Sequence, residues 1–548
     1  MVRPRVVDYI VEHLAHQGTG HVFGVGGANI EDLYDAAHSC PDITAVVAKH
    51  EFSATAMADA YSRVGAGTGV VVATSGGGAL NTIPGLGESF ASRVPVLALI
   101  GQARTASDGR GSFQDTSGRG GSLDATALFS AVSVFCERVL DADDIVTALP
   151  RALAAATTKG GPAVLLLPKD IQQATVGVDY LDAETPRPAP ADPAAVIELL
   201  HNADGPVVII AGDQVARDDA RAELATLAAL LPATVATVPE AKDVTTEPLG
   251  VAGVMGHPAV RAAIADSAAC LLVGTRLPLM ARAGLDDALA SVPIASIGSA
   301  EPYLPATHVD SHDLRVSLTQ LIAALTTSAG PRSPTPPPGE LAPPPSDGPG
   351  VPYRDAMLTL DALLPPNTDI VVDAGNIGAA AIHWLPARRD GRFLVALGMG
   401  GMGHSFGAGI GMAFARGAAQ HRTVVIAGDG AFFMHGMEIH TALHYRLPIT
   451  FVLFDNHAHA MCVTREQLFY GDRYSYNRFG PSRLGAGLAA MLPTLPAIDV
   501  TDIGQLGPAI TAALDVNGPS VVSVECSPDE IPPFTAFLNE PPTPRDAR

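Results

Sequence analysis

A chain of 548 residues, 47% of them hydrophobic, is long enough for about three domains, each with its own core. Its 34 Lys and Arg against 56 Asp and Glu leave a formal charge of −22, which argues against a nucleic-acid groove, since that needs clustered cations. The five cysteines (Cys40, Cys136, Cys270, Cys462, Cys526) are scattered, odd in number and never in a CxxC pair; neither a disulfide framework nor a thiolate metal site is indicated, and a reducing cytoplasm is the simplest location.

In chain order, MVRPRVVDYIVEHLAHQG has polar residues interrupting every apolar run, so it reads as an amphipathic helix and not a signal peptide. The longest apolar runs elsewhere, such as AVLLL at 163–167, are of strand length and cannot span a bilayer. Next come an expected strand at Thr44–Val47, a helix from about Glu51 to Val64 and a strand at Gly69–Ser75. Glu51 falls where strand gives way to helix, a ligand-facing edge, although an acid in a first helical turn also simply complements the macrodipole. The stretch GQARTASDGRGSFQD at 101–115 reads as a solvated loop, and ETPRPAPADP as a linker. A second strand-helix alternation fills 190–328, and PRSPTPPPGELAPPPSDGPG is an extended connector. The expected fold class is α/β: three domains, at 1–185, 190–328 and 353–548, each with a mainly parallel sheet flanked by helices, and a proline-rich linker at 331–352.

The last domain carries two motifs. Gly398-Met399-Gly400-Gly401-Met402-Gly403 is a literal GxGxxG, which alone admits a dinucleotide fold with Asp429 on a ribose and an NAD(P)-dependent oxidoreductase. Against this, Asp429 lies 26 residues beyond Gly403 and is flanked by two glycines. The second motif is TVVIAGDGAFFMHGMEIHTALHYRLPITFVLFDNHAHA, 423–460: a strand at Thr423–Ala427, a Gly428-Asp429-Gly430 turn, a helix from about Met434 to Tyr445 and a strand at Ile449–Phe454 ending in Asp455-Asn456. Parallel strands end on one edge, so Asp429 and Asn456 can meet there. Two hard oxygen donors suit Mg2+, which completes its shell with phosphate oxygens and water, and the Gly430 and Ala431 N–H groups would face the same phosphate.

Gly-Asp-Gly followed at this spacing by a strand ending in Asn resembles the thiamine-diphosphate (ThDP) signature of the acetolactate synthase and pyruvate decarboxylase superfamily. The ordered segments FGVGGANIEDLYDA, KHEFSATAMADAYSR, TSGGGALN and PVLALIGQ are similar to its pyrimidine-binding domain. The resemblance implies pyrimidine, central and diphosphate domains, with ThDP and Mg2+ as cofactors. Asp429, Asn456 and the Ala458 carbonyl would ligate Mg2+. Glu51 would be the activating acid. Asn81, Gly375, Asn376, Gly400, Met402, Gly430 and Ala431 would hold the cofactor, with Met402 as the apolar support for its V shape. Gln114, beside Phe113, would contact substrate. His404, His457 and His459 flank the proposed centre, and one of them is a candidate proton donor; MCVTREQLFYGDRYSYNRFG, 461–480, would cover the pocket.

The implied reaction is decarboxylation of a 2-oxo acid with carboligation of the resulting enamine to a second carbonyl, the alternative being a non-ligating decarboxylase or C–C lyase. Partners would be those small molecules and a second subunit, in a homodimer or homotetramer with sites at the interface. Some relatives hold FAD in the central domain; no FAD motif is evident here. The chain departs from the family at Val25-Gly26-Gly27, at Ser75-Gly76-Gly77 and at Asp455, where Asn is usual.

Overall fold

A computed structural model of the chain describes residues 3–177, 192–325, 335–417 and 421–538. Residues 184–191 of the first expected linker and 331–334 of the second lie outside them. The fold is α/β: three domains, each built on a six-stranded, wholly parallel sheet flanked by helices. Two compact bodies hold these sheets, one comprising Met1–Pro188, Ala396–Ala418 and His435–Leu447, the other Ala189–Val395, Ala419–Met434 and Pro448–Arg548.

In the first body the strand order is Thr44–Val47, His21–Val25, Gly69–Ala73, Val96–Gln102, Pro162–Pro168, Phe135–Arg138. The segments GVVVA, VLALIGQ and PAVLLLP are buried along their whole length, as strands covered on both faces must be. The expected strand to Ser75 stops at Ala73, because Gly76 takes φ 64° and turns the chain into the helix Gly77–Ala91. Every residue of the helix Glu51–Arg63 is buried. Its small side chains admit the helix His404–Arg416 at close range: a Cβ on Gly407 would lie 2.3 Å from the Ser53 carbonyl oxygen, and one on Gly411 2.1 Å from that of Met57.

The second body contains the other two sheets. One runs Thr307–Asp310, Ile294–Gly298, Ala269–Val273, Val207–Ala211, Thr234–Thr237, Gly250–Val251; the other Phe393–Val395, Asp369–Val372, Thr423–Gly428, Ile449–Asp455, Ser520–Glu525, Ala497–Val500. The buried Lys242 ammonium caps the end of the helix Asn376–Trp384, donating to the carbonyls of Ala381, Ile382 and Leu385 at 3.1, 2.6 and 2.6 Å. Burial pulls this lysine down to about 7.

The 423–460 stretch differs in one respect from its sequence reading. No turn separates strand from helix: the helix Asp429–His435 starts directly at the strand end, followed by a 3-10 turn at Gly436–Glu438 and a helix at Ile439–His444. The Asp429 carboxylate accepts the Gly430 N–H at 2.8 Å and so satisfies a donor at the helix start. Among the described residues no helix is long and apolar enough to cross a membrane.

Candidate active site

In the first body, the imidazole of His50 caps the helix Glu51–Arg63 by accepting the Phe52 N–H at 3.1 Å. Glu51 therefore starts that helix as a buried residue, 8% exposed. The Asn81 amide donates to its Oε2 at 3.0 Å, so two residues singled out separately in the sequence are brought together. Gly78 leaves room for the other oxygen: a Cβ there would stand 2.9 Å from Glu51 Oε1. Glu438, which the sequence did not single out, accepts the N–H groups of Lys49 and His50 at 2.8 and 3.0 Å and the Thr441 hydroxyl at 2.8 Å. Burial raises the Glu438 carboxyl, and those three donors partly offset the rise.

Gln114 adopts φ 59° and accepts the Ser75 hydroxyl at 3.2 Å, while Ser75 accepts from Asn29 at 2.6 Å. A Cβ on Gly76 would come within 2.8 Å of Gln114 Cγ, so the loop at 101–115 packs on the glycine run. Phe113 is 79% exposed.

The GxGxxG loop is held by Glu88, which accepts the N–H groups of Gly398 and Met399 at 3.1 and 2.6 Å. Gly400 and Gly403 take φ 66° and 87°, and Met402 between them is half-buried. His404 is 4% exposed, with Nε2 3.5 Å from Asp59 Oδ1. Asp59 also accepts from Arg63 at 2.6 Å and Ser89 at 2.7 Å, and Arg63 reaches Glu88 at 3.2 Å. Burial alone would raise the Asp59 carboxyl, but Arg63 and His404 hold it well below the usual range. His404 thus stands against a buried cluster of Asp59, Arg63 and Glu88. Sequence position alone gave it only a flanking place.

The dinucleotide alternative fails on topology. Strand Asp369–Val372 lies between Phe393–Val395, which leads into the GxGxxG, and Thr423–Gly428, which leads into Asp429. A glycine-rich turn and its ribose acid need adjacent strands.

In the second body, Thr423–Gly428 and Ile449–Asp455 pair with Gly428 opposite Phe454, so Asp429 and Asn456 emerge side by side. Asp429 Oδ2 and Asn456 Oδ1 both accept the Ala458 N–H at 3.1 Å. The Asn456 amide is oriented by donating to Tyr353 Oη at 3.1 Å. Gly375, with φ 116°, precedes the helix started by Asn376, whose amide donates to Thr464 Oγ1 and the Glu530 carbonyl at 3.3 Å each, while its Oδ1 is buried without a hydrogen-bond partner. Gly430 and Ala431 lie in the first turn of the helix Asp429–His435. His459 packs edge-on against Phe479, its ring centroid 4.7 Å away, and a Cβ on Gly430 would come within 2.6 Å of its Nδ1. Burial lowers the His459 imidazole. The 461–480 stretch starts as a helix, Ala460–Tyr470, and leaves Tyr470, Tyr474 and Tyr476 exposed.

These donors fit a small divalent cation. Burial, and then the neighbouring Asp455 carboxylate, push Asp429 above the usual carboxylate range, a penalty that a bound cation relieves. Donor atoms of Asp429, Asp455 and His457 all lie within 4.8 Å of one another. Tyr353, Asp455, Ser482, Glu525 and Glu530 surround the site and were not candidates in the sequence. Asp455 carried a signal, its departure from Asn; the others are set by strand register and long-range packing.

Residues 4–120 match the family model described as thiamine pyrophosphate enzyme, N-terminal TPP binding domain; 194–308 match its central domain and 373–524 its C-terminal TPP binding domain. The "Probable acetolactate synthase large subunit" of Methanocaldococcus jannaschii is 27% identical over 516 residues, covering 87% of this chain and 84% of its own. The acetolactate synthase isozyme 2 large subunit of Escherichia coli is 29% identical over 487 residues (85% and 86%), and the acetolactate synthase large subunit of Corynebacterium glutamicum 26% over 561 (94% and 85%).

Proposed function

Given that the chain belongs to the thiamine pyrophosphate enzymes, we propose that it decarboxylates a 2-oxo acid and joins the remaining carbon unit to a second carbonyl compound, using Mg2+ to hold thiamine diphosphate. The observation that carries this reading is Glu51: a buried acid bonded by Asn81 and given space by Gly78 inside the matched N-terminal domain. The choice of carboligation over simple decarboxylation is supported by the acetolactate synthases among the relatives.

When bound, thiamine diphosphate supplies a nucleophilic carbon at thiazolium C2 and a sink for the charge left by loss of CO2. Glu51, with Oε2 fixed by Asn81, would hold a proton at Oε1 for the pyrimidine N1'. Asp429, Asn456 and the Ala458 carbonyl would hold Mg2+, and Gly430 and Ala431 would offer N–H groups to the diphosphate. Gly375, Asn376, Gly400 and Met402 would shape the rest of the cofactor site. Gln114, anchored through Ser75, would orient substrate, and His459 would donate a proton to the reacting carbonyl oxygen. His404, tied to Asp59, would fix the loop that carries Met402. We further propose a homodimer or homotetramer with sites at subunit interfaces. The five cysteines, all free, support a reducing, cytoplasmic setting.

The experiment is incubation with pyruvate, Mg2+ and thiamine diphosphate, with product analysis. An acyloin product is expected; free aldehyde alone would point to the non-ligating decarboxylase, and absence of CO2 release across a panel of 2-oxo acids would overturn the reading. Glu51→Gln is expected to fold and to lose about 100-fold or more of cofactor C2–H exchange. Undiminished exchange would remove Glu51 from its role.

A further inference from the structure

We propose that His457 is a positioning residue that locks the metal loop, bridging Asp455 and Glu525 so that the backbone presents Asn456 on one side and Ala458 on the other. The inference rests on the reading of Asp429, Asn456 and Ala458 as the cation's donors. Asp455 and Glu525 are in-register partners at the ends of neighbouring parallel strands. Like charges set directly opposite each other repel, and this pair stands at the site's own edge. The imidazole of His457 lies between them, with Nδ1 3.0 Å from Asp455 Oδ1 and Nε2 3.0 Å from Glu525 Oε1.

The bridge coincides with a backbone constraint. His457 has φ 53°, in the left-handed region that few residues other than glycine adopt, asparagine, aspartate and histidine more often than the rest, and that costs energy which the surroundings must offset. Its carbonyl accepts the Phe479 N–H at 2.6 Å, and the Ser482 hydroxyl donates to both Asp455 oxygens at 3.1 and 2.9 Å. Because His457 separates Asn456 from Ala458, its dihedral angles decide whether the carboxamide oxygen of one and the carbonyl of the other can serve a single ion. Both ring nitrogens already face carboxylates, so His457 acts on the cation through the backbone and not as a ligand, despite its place within 4.8 Å of the Asp429 and Asp455 donors.

The test is calorimetric titration of Mg2+ into the full-length protein at saturating thiamine diphosphate. His457→Asn keeps tolerance of the left-handed conformation but cannot span both acids, and should weaken Mg2+ binding about tenfold or more. Glu525→Ala, at a half-exposed position that touches the ring but no metal donor, should weaken it severalfold, and the double variant should bind no worse than His457→Asn alone, since both remove one bridge. Unfolding temperatures measured without metal or cofactor separate loss of the loop from loss of the fold, and Glu525→Ala carries the test if His457→Asn does not fold. Additive losses would mean that His457 ligates the ion directly and would overturn the proposal, as would unchanged affinity in Glu525→Ala. If the unaltered protein shows no Mg2+-dependent binding of thiamine diphosphate, the functional reading falls together with this inference; if it binds and the variants bind equally well, only the inference falls.

Discussion

The Glu438 carboxylate accepts the backbone N–H of His50 at 3.0 Å, one residue ahead of Glu51. The same oxygen takes the Lys49 N–H at 2.8 Å, so one buried acid fixes the two peptide units that lead into the proposed activating glutamate. Glu438→Ala leaves both donors without that acceptor. It should cost about 1–3 kcal/mol of stability, raise amide hydrogen exchange at Lys49 and His50, and lower turnover about tenfold or more through misplacement of Glu51. Glu438→Gln retains an acceptor oxygen and should recover most of each loss. Wild-type exchange and turnover in Glu438→Ala would refute the coupling.

Two glycines in helices should respond in opposite directions to the same substitution. Gly411→Ala drives a methyl group to 2.1 Å from the Met57 carbonyl oxygen, forcing the 404–416 and 51–63 helices apart, and should destabilise by about 1–3 kcal/mol. Gly487, in the helix Leu484–Met491, has open space around its Cβ position, so Gly487→Ala should stabilise by up to about 1 kcal/mol. Urea denaturation of the two variants measures both; a neutral Gly411→Ala would refute the close approach of the two helices.

Glu530 gives stability a pH dependence. Its carboxyl accepts the Tyr353 N–H at 2.8 Å, yet burial pushes it from the ordinary 4.5 up to about 7. A folded value above the unfolded one means that the native state binds the extra proton. The stabilisation is complete below about pH 4.5 and is lost as pH rises through about 7, a change of up to roughly 3 kcal/mol. Glu530→Gln should flatten that part of the unfolding profile and leave the variant more stable than wild type near pH 8. Parallel profiles for the two proteins between pH 5 and 8 would show that Glu530 is not the titrating group.

Much of this molecule was legible from local pattern. The runs GVVVA and PAVLLLP read as strands because short, continuous apolar stretches bounded by turn residues suit the interior of a parallel sheet, whereas TAVV is the edge strand of its sheet and leaves Val47 exposed. The convergence of Asp429 and Asn456 follows from two neighbouring parallel strands ending on one edge, and both side-chain oxygens reach the Ala458 N–H. Gly428-Asp429-Gly430 has the composition of a turn, yet the Asp429 side chain supplies the acceptor that lets a helix start there.

By itself, then, the sequence determined the α/β class, the three strand-helix alternations and the acids and carboxamide at the strand ends, because each depends on residues within a few positions of one another. Only the tertiary structure decided that Glu438 holds the chain ahead of Glu51, that His404 joins Asp59, Arg63 and Glu88 in a buried cluster, and that His457 stands between Asp455 and Glu525. Those relationships depend on strand register, helix approach and desolvation. Each includes a contact between residues tens to hundreds of positions apart, which no local window of sequence encodes.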